Sequence, residues 1–506
     1  MSRLATGLGA VLALEPGAPA LEFHGAWRTW GRLAADATAL QNALAAAGFG
    51  AGTRVAMVLR NQPGVLSALL GILMSEDCLA SLNGISPDER LAADIAAVQA
   101  PVLVATEADW SRGDLLSVGR GTGALCLALT DVENAPLRML APFDASTGTQ
   151  LRISAPGIAI EMLSSGTTGT PKRIPLSADK LDKALRGAAS YERGRHEEDA
   201  PKLRSGVQIV TAPLAHIAGI TGSLNNLLAG RKVCLIERFT VAAFTDAVRR
   251  HRPKVAGAPP SAIRMILDAN VPKEDLSSLV AFRTGTAPLD PALADAFMER
   301  YGIPVLQNYG ATEFAGGAAG WTLDDFRRFW KAKHGSVGRL NPGVTARTLD
   351  PESGTVLPVG TQGLLEIRAP NIGDGQSWVR TTDLAVVDAD GFLYINGRHD
   401  NAIIRGGFKI QPDDVTRALQ GHPAIREAAV IALPDPRLGQ VPAAAFIVKT
   451  NAKAPTGEEL REFLRTHLLP YQIPVQFLAV TELPRTVSMK PNQTALRALF
   501  ESHGKA

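Results

Sequence analysis

The chain has 506 residues, of which 46% are hydrophobic and 20% are charged. This length exceeds what one compact core accommodates, so we expect two or more globular domains. A net charge of +3 gives no indication of a nucleic-acid partner or of an anionic membrane surface. The distant cysteines Cys78, Cys126 and Cys234 argue against a disulfide framework or a zinc site, and favour a reducing, cytoplasmic setting. No apolar run reaches the ~18 residues that a membrane span needs.

Apolar runs alternate with amphipathic segments over the first half of the chain. The runs that read as buried strands are 54–59, 101–105, 158–163, 207–211 and 232–236. The segments with helical periodicity between them are 30–47, 90–98, 181–191 and 241–250. This alternation predicts an α/β architecture with largely parallel sheets.

The pattern changes near residue 335, where short alternating strands begin. The stretches 345–350, 364–368 and 391–397 are bounded by Gly, Pro and Asp, as in a small β-rich layer. A second change follows at 397–401, after which we predict the order strand, helix, strand, strand, helix, strand, helix. We therefore place a domain boundary at Asp400, which separates residues 1–399 from a small domain at 400–506.

A polar loop, "SSGTTGTPK" at 164–172, directly follows the apolar run 158–163. Its glycines permit tight bends in which successive backbone N–H groups converge on one anion, and Lys172 adds a full charge. It is not a Walker A loop, because Pro171 precedes the lysine and Arg173 follows it. Composition alone leaves a phosphate site and a plain turn as open alternatives.

The loop resembles the signature loop of the adenylate-forming enzymes, which include acyl- and aryl-CoA synthetases, peptide-synthetase adenylation domains and luciferases. Further segments resemble that family's motifs in the same order: 213–219, 285–289, 308–313, 335–343, 381–400, 405–414 and 483–497. The resemblance implies an α/β fold with a large N-terminal domain of stacked mixed sheets, helices and a small β-rich layer. It also implies a small mobile α+β C-terminal domain.

The implied reaction has two steps and uses ATP, Mg²⁺, coenzyme A and a small carboxylic acid. A carboxylate attacks the α-phosphorus of ATP, and a thiol then attacks the resulting acyl-adenylate. The site must therefore surround the phosphates with positive charge and oriented donors. The residues that the resemblance assigns to ATP or AMP are Ser164, Ser165, Gly166, Thr167, Thr168, Gly169, Lys172, Gly285, Thr286, Ala287, Tyr309, Gly310, Asp383 and Arg398.

Individual roles also follow from the resemblance. Tyr309 would stack on adenine, and Asp383 would accept hydrogen bonds from both ribose hydroxyls. Lys490 would bridge the substrate carboxylate and the α-phosphate, which Thr312 would also contact. Glu313 would hold Mg²⁺. The ordinary alternatives are a packed aromatic residue and solvated charged side chains.

Two further positions concern the second step. His216 resembles a histidine that lines the acyl pocket and thiol tunnel, with a satisfied, partly buried histidine as the alternative. The turn Gly406, Gly407, Phe408 and Lys409 would receive the pantetheine arm of CoA after the small domain rotates about Asp400. An ordinary tight turn is the alternative for this segment.

The chain departs from the family pattern at several positions. Met489 replaces the glycine that usually precedes the lysine, which restricts the backbone, and Pro491 follows it as a candidate first residue of the final helix. Arg173 and Thr382 replace usual glycines, and Asp414 replaces a usual glutamate.

The acyl group is the least determined feature. Small side chains dominate the segments expected to line the pocket, which are 216–224, 282–286 and 309–319, and they favour an aryl or aliphatic monocarboxylate. Arg283 facing a second carboxylate is the alternative. Transfer to a carrier-protein thiol or an amine, a non-catalytic ATP-binding protein, and a homodimer also remain open.

Overall fold

The structure is a computed structural model that describes residues 1–147, 151–152, 154–163, 173–189, 201–405, 408–435, 438–486 and 489–503. The chain divides into two compact units. Unit 1 comprises 1–328, 341–343 and 369–377, and unit 2 comprises 329–340, 344–368 and 378–506. The β-rich layer thus groups with the C-terminal residues, whereas a division at Asp400 stays a prediction.

Unit 1 alternates strands and helices as the sequence predicts. Its strands are β1 (Pro19–Phe23), β2 (Ala26–Thr29), β3 (Arg54–Leu59), β4 (Cys78–Asn83), β5 (Val102–Thr106), β6 (Leu125–Leu129), β7 (Leu137–Ala141), β8 (Ile158–Leu163), β9 (Arg173–Ser177), β10 (Val207–Val210), β11 (Lys232–Leu235), β12 (Val255–Gly257), β13 (Ala281–Thr284), β14 (Val305–Ala311) and β15 (Gly316–Gly320). The helices up to residue 329 are α1 (Arg3–Leu12), α2 (Trp30–Ala46), α3 (Pro63–Met74), α4 (Asp88–Val98), α5 (Glu107–Trp110), α6 (Leu115–Gly121), α7 (Ala178–Ala189), α8 (Ile217–Leu228), α9 (Val241–His251), α10 (Pro260–Asp268), α11 (Pro291–Tyr301) and α12 (Leu323–Phe329).

The largest sheet of unit 1 has the order β7-β6-β5-β3-β4-β8-β9. Its inner neighbours pair in parallel, and the outer pairs β6–β7 and β8–β9 are antiparallel. Every residue of β3 and β5 is buried, which explains why these strands read as continuous apolar runs. Helices α2 and α3 pack together over this core, and β8 leads directly into the 164–172 loop.

Two other sheets complete unit 1. One has the order β10-β11-β1-β2, with β1 parallel to β11 and antiparallel to β2. In the other, β12, β13 and β14 are parallel neighbours and β15 is antiparallel to β14. The mixed, stacked α/β architecture that the resemblance implies is therefore confirmed.

A buried ion pair joins two strands of the large sheet across β4. Nη2 of Arg54 on β3 donates to Oε2 of Glu161 on β8 over 2.6 Å, and the Arg54 side chain is fully buried. Nη1 of Arg54 also donates to the carbonyl of Val98 at 3.1 Å. Arg152 approaches the other Glu161 oxygen at 3.4 Å. The pair fixes the strand that feeds the predicted phosphate loop.

Unit 2 combines a small antiparallel sheet with the C-terminal α+β fold. Its strands are β16 (Arg339–Leu340), β17 (Thr345–Leu349), β18 (Gly363–Arg368), β19 (Val379–Val387), β20 (Leu393–Arg398), β21 (Ile403–Arg405), β22 (Phe408–Ile410), β23 (Ile425–Asp435), β24 (Gly439–Val448) and β25 (Gln476–Ala479). Its helices are α13 (Pro412–Gln420), α14 (Gly457–Arg465) and α15 (Gln493–His503). The predicted order of elements after residue 400 holds, with one additional short strand where β21 turns back into β22.

The C-terminal sheet, ordered β22-β21-β24-β23 with β25 beside β24, is covered on both faces. Along β23, Ala428 and Val430 pack into one core with residues of α13 and α14. The alternate residues Ala429 and Ile431 pack into a second core with α15. This period-two separation of two apolar faces explains the alternation of apolar runs and amphipathic helices in this part of the sequence.

None of the helices in the described part of the chain combines the length and apolarity that crossing a bilayer requires.

Candidate active site

The predicted phosphate loop lies outside the described residues, whereas the strands on either side of it are described. The predicted site residues within that loop are Ser164, Ser165, Gly166, Thr167, Thr168, Gly169 and Lys172. Leu163, the last residue of β8, pairs with Arg173, the first residue of β9. Ser81 on β4 contacts both: its hydroxyl accepts from Leu163 N at 2.8 Å, and its carbonyl accepts from Nη1 of Arg173 at 3.1 Å. Arg173, a departure from the family glycine, thus braces one end of the loop, and Ser81 is a support that sequence patterns did not indicate.

Two glycines of the segments predicted to contact adenine have very close neighbours. A Cβ added at Gly285 would lie 2.0 Å from Oδ1 of Asn308, and one at Gly310 would lie 2.3 Å from the carbonyl oxygen of Gly316. At Gly310 the close neighbour is backbone, so only glycine fits there, whereas a side chain at Gly285 would require the Asn308 side chain to move. Thr286 has φ +69°, in the left-handed region that side chains rarely adopt. The segment therefore keeps a glycine-like backbone at Thr286 although the residue is not glycine, and strain of this kind concentrates at functional sites.

Tyr309 lies near the end of β14, and Thr312 and Glu313 follow directly after that strand. The Tyr309 ring is half-buried, with its centroid 6.3 Å from that of Phe314 at an interplanar angle of 59°. Thr312 and Glu313 lie on the 3-10 turn Thr312–Phe314, which buried Phe314 anchors to the core. The Glu313 side chain is exposed to solvent. A single accessible carboxylate fits Mg²⁺, which usually keeps several waters and binds one or two protein carboxylates together with phosphate.

His216 is the N-cap residue of helix α8. Its Nδ1 accepts a hydrogen bond from the backbone N–H of Ala218 at 3.2 Å, so the proton of the neutral ring is assigned to Nε2. A Cβ at Gly219 would lie 2.1 Å from the carbonyl oxygen of Pro213, which explains the glycine three residues after the histidine. His216 is therefore a satisfied capping residue through Nδ1, and its role toward an acyl group stays a prediction.

Unit 2 brings the predicted ribose and phosphate ligands together. Asp383 on β19 and Arg398 on β20 are directly opposite in the antiparallel pairing. Nε of Arg398 lies 3.7 Å from Oδ1 of Asp383. The hydroxyl of Thr381 accepts from Asp383 N at 3.1 Å and donates to the Leu365 carbonyl at 3.0 Å, which fixes the Asp383 backbone.

Asp413 on α13 is a further charged residue in this cluster, and sequence patterns did not indicate it. A Cβ added at Gly397 would lie 3.5 Å from Oδ2 of Asp413, so this carboxylate sits beside the residue preceding Arg398. Burial, together with repulsion from Asp414 and Asp383, raises the pKa of Asp413, while Arg417 and Arg398 oppose the shift. Asp413 lies within the 405–414 segment but was not predicted as a site residue, since acidic residues on a helix are usually solvated.

Lys490 shares this electrostatic environment. Its side chain reaches solvent. Desolvation of the ammonium group, and then repulsion by Arg398, lower the pKa of Lys490, whereas Asp383 and Asp413 act in the opposite direction. Asp383, Arg398, Asp413 and Lys490 all belong to unit 2, where Asp383 and Arg398 are in direct contact.

The turn that carries Lys490 is braced by Arg485. Nη1 of Arg485 donates to the Met489 carbonyl at 2.8 Å, and its Nη2 pairs with Glu427 on β23. Thr486 N donates to the Lys490 carbonyl at 2.7 Å. Met489 has φ +63°, so the turn takes the conformation of the usual glycine in spite of the side chain.

The expectation that Pro491 is the first residue of the final helix is wrong. Helix α15 begins at Gln493, and Oδ1 of Asn492 accepts from Ala495 N at 3.1 Å as an N-cap does. Pro491 instead forms an isolated antiparallel bridge with Arg485. The helix therefore begins after the capping residue Asn492, two residues beyond Pro491.

Relief of the left-handed strain gives a prediction for the turn. Met489→Gly should be more stable than Met489→Ala by about 1 kcal/mol, because alanine keeps the penalty for φ > 0 and glycine removes it. The measurement is the thermal unfolding midpoint of the two variants. Met489→Ala is the matched control, since both changes remove the same packing of the long side chain. A glycine variant less stable than the alanine variant would contradict this explanation.

The remaining predicted residues fall as follows. Ala287 follows Thr286 in the described segment after β13. Asp400 lies within the 3-10 turn His399–Asn401. Gly406 and Gly407 lie outside the described residues, and the backbone of Phe408 and Lys409 opens β22. The proposed hinge and CoA contacts stay predictions.

Comparisons with known proteins show what the chain is similar to. The family model described as AMP-binding enzyme matches residues 10–375, and the model for the AMP-binding enzyme C-terminal domain matches 414–490. Sulfoacetate–CoA ligase of Cupriavidus necator is 31% identical over 92% of both chains. The 4-coumarate–CoA ligase-like 2 protein of Arabidopsis thaliana is 31% identical over 69% of this chain. The matched region covers 63% of that relative's own length. Amide bond synthetase McbA of Marinactinospora thermotolerans superposes with a TM-score of 0.79 at 28% identity, covering 98% of this chain and 99% of McbA.

Proposed function

This chain belongs to the AMP-binding enzyme family, and we propose that it is an ATP-dependent carboxylate–CoA ligase. In the first step a carboxylate oxygen bonds to the α-phosphorus of ATP, and the bond to the bridging oxygen of pyrophosphate breaks. In the second step the CoA sulfur bonds to the acyl carbon, AMP leaves with the electrons of the C–O bond, and the thiol proton passes to solvent.

One observation carries the proposal: the grouping of Asp383, Arg398 and Lys490 in unit 2. Opposite charges at the end of one antiparallel strand pair suit a ribose diol and a phosphate together. The Asp383 side chain is 20% exposed and that of Arg398 is 42% exposed, so a ligand has access to both. A purely structural ion pair does not need this access, and Lys490 belongs to the same unit.

The groups of unit 1 would bind the nucleotide's other parts. The 164–172 loop would hold the β- and γ-phosphates, and Tyr309 with the 285–287 segment would receive adenine. Glu313 would hold Mg²⁺, which offsets phosphate charge when it is bound. Thr312, one residue earlier on the same 3-10 turn, would donate to the α-phosphate.

Unit 2 would serve both half-reactions. Lys490 offsets the negative charge that develops as the carboxylate meets the α-phosphate. Rotation about Asp400 would then exchange Lys490 for the 406–409 turn, along which the pantetheine arm would pass. The cytoplasmic setting and a homodimer stay predictions.

The acyl substrate is proposed as an aryl or aliphatic monocarboxylate. Strand β15, at 316–320, consists only of glycine and alanine, and a Cβ added at Gly316 would be in ordinary contact with the Ala184 Cβ at 3.7 Å. This leaves few bulky side chains along the expected pocket. A dianionic acid facing Arg283 is the alternative, and the relative named for sulfoacetate, an acid with a second anionic group, supports testing it. The likeness to an amide bond synthetase supports an amine as the alternative acceptor.

A panel of aryl, aliphatic and dianionic acids tests the proposal. With Mg-ATP and no CoA, one class should give a single turnover of pyrophosphate release. Adding CoA should then give continuous AMP formation with the same acid. Turnover with amines but not with CoA would favour the amide synthetase, and a protein that binds ATP but turns over none of the acids would contradict ligase function.

A further inference from the structure

We propose that Glu22, Cys234 and His251 form a binding site for one Zn²⁺ ion in unit 1. A carboxylate oxygen, a thiol sulfur and a ring nitrogen of these residues all lie within 4.8 Å of one another. The inference does not rest on the proposed function, because none of the three residues belongs to a segment predicted to bind ATP, CoA or the acid.

Three elements bring these side chains together. Glu22 on β1 and Cys234 on β11 are register partners in a parallel pair, so their side chains leave the same face of the sheet. His251 is the last residue of helix α9. The spacing of the cysteines argued against a zinc site, but only one thiol takes part here, and its partners are distant in the chain.

The cluster is buried, unlike the acidic groups that are common on protein surfaces. Glu22 is 1% exposed and Cys234 is 4% exposed. The His251 side chain is 9% exposed, so the cluster lies just below the surface. A buried charge needs a partner or a metal, and Zn²⁺ accepts thiolate, imidazole and carboxylate ligands.

The two carboxylate oxygens of Glu22 have different neighbours. Oε1 accepts from Nη1 of Arg250 at 2.7 Å and from N of Gly25 at 3.0 Å. Oε2 is paired with Nε2 of His251. Outer hydrogen bonds of this kind orient a carboxylate that binds a metal. Oε2 would therefore bind the ion, while Arg250 and Gly25 would hold Oε1.

Metal binding would replace hydrogens that now lie between the ligand atoms. The ion would take the place of the hydrogen between His251 Nε2 and Glu22 Oε2, and that proton would pass to Nδ1 or to solvent. The Cys234 thiol would release its proton to solvent as the zinc–sulfur bond forms. Burial, and then the hydrogen bond and charge of Glu22, raise the pKa of Cys234, and the charge of a bound ion reverses this effect.

Small movements of the three side chains would complete the site. Zinc–ligand bonds of about 2.0–2.3 Å place the ligand atoms of a tetrahedron roughly 3.3–3.8 Å apart. The present separations do not exceed 4.8 Å, so adjustments of about 1 Å suffice. A water would be the fourth ligand. Since the protein ligands come from two strands and a helix end, the bound ion would fasten α9 to the sheet.

Arg250 opposes a cation at this place and provides the alternative explanation. Its Nη1 lies 3.1 Å from His251 Nε2, so the cluster already forms an ion-paired group without a metal. Two observations favour the metal site in spite of this charge. A thiolate and a carboxylate together balance a divalent ion, and Arg250 also pairs with Asp246, from Nε to Oδ2 at 2.7 Å.

The test uses the full chain, treated with a chelator that is then removed, and Co²⁺ as the first probe. A cobalt–thiolate bond gives a charge-transfer band in the near ultraviolet, and one equivalent of Co²⁺ should saturate it. Zn²⁺ should then remove the band, because it binds such sites more tightly than Co²⁺. Zn²⁺ alone should raise the thermal unfolding midpoint of the unchanged protein.

Substitutions distinguish the ligands from their neighbours. Cys234→Ser should abolish both the band and the stabilisation by Zn²⁺, and His251→Gln and Glu22→Gln should each weaken Co²⁺ binding at least tenfold. Cys126→Ala is the matched control, because it removes another buried thiol of unit 1 and should keep the band. Arg250→Gln should bind Co²⁺ at least as tightly as the unchanged protein, because it removes a positive charge and no ligand.

The opposite results would overturn the proposal. An unchanged protein that gives no band would leave only the ion-paired cluster, and a band that persists in Cys234→Ser would put the ion elsewhere. Loss of binding in Arg250→Gln as large as in His251→Gln would show that the substitutions act through packing. Tryptophan fluorescence checks the fold of each variant, and Cys234→Ala replaces the serine variant if that one does not fold. Pyrophosphate release decides the proposed function separately.

Discussion

Replacing Lys490 with alanine should slow acyl-adenylate formation by ~10² or more, on the scale of losing one electrostatic donor at a developing charge. The physical reason is that the lysine ammonium offsets charge only while the carboxylate attacks the α-phosphate. Reaction of a supplied acyl-adenylate with CoA should therefore survive. Single-turnover pyrophosphate release measures the first step, and acyl-CoA formation from synthetic acyl-adenylate measures the second.

A matched lysine in the same unit provides the control. Lys453 is exposed on the loop before α14, and Lys453→Ala should leave both half-reactions unchanged. If Lys490→Ala slowed both half-reactions equally, the lysine would be supporting the fold of its turn rather than the first transition state. The braces from Arg485 make that outcome unexpected, because they hold the backbone of the turn and not the lysine side chain.

Replacing Glu161 with alanine should lower the free energy of unfolding by roughly 3–5 kcal/mol, because it leaves the Arg54 charge buried without its partner. The Arg54 and Glu161 side chains are 0% and 6% exposed, so water cannot take over the lost contact. Urea unfolding followed by tryptophan fluorescence measures the change. Activity should fall with stability, since β8 leads into the 164–172 loop.

Two companion variants locate the cause of that loss. Glu133 is an exposed carboxylate in the same unit, and Glu133→Ala should change stability by no more than about 0.5 kcal/mol. The double variant Arg54→Met with Glu161→Leu should recover much of the loss, because it removes both charges and keeps apolar volume. A double variant as unstable as Glu161→Ala would show that packing, and not the unpaired charge, is responsible.

The candidate site could be predicted where short motifs carry its chemistry. Asp383, Arg398 and Lys490 were predicted as ligands of one nucleotide from separate segments; the structure pairs Asp383 with Arg398 and includes Lys490 in the same unit, and their role as ligands stays a prediction. The supports of these residues could not be predicted. Asp413 and Arg485 lie within the motif segments 405–414 and 483–497, but those motifs do not show what the two side chains contact. Ser81 has no distinctive local pattern, and its partners Leu163 and Arg173 are distant in the chain.

The sequence by itself determined the α/β class, several buried strands and amphipathic helices, and the family motifs, because burial on a strand or helix imposes a local period of apolar residues. Strands such as β3 and β8 and helices such as α2 and α9 were placed in this way to within a residue or two. Only the tertiary structure decided that Met489 adopts φ > 0, that Pro491 bridges to Arg485, and that the Thr382 hydroxyl accepts from the Arg398 guanidinium. These features depend on which backbone and side-chain groups meet across strands, and pairing between distant segments is settled by packing and hydrogen bonding rather than by local periodicity.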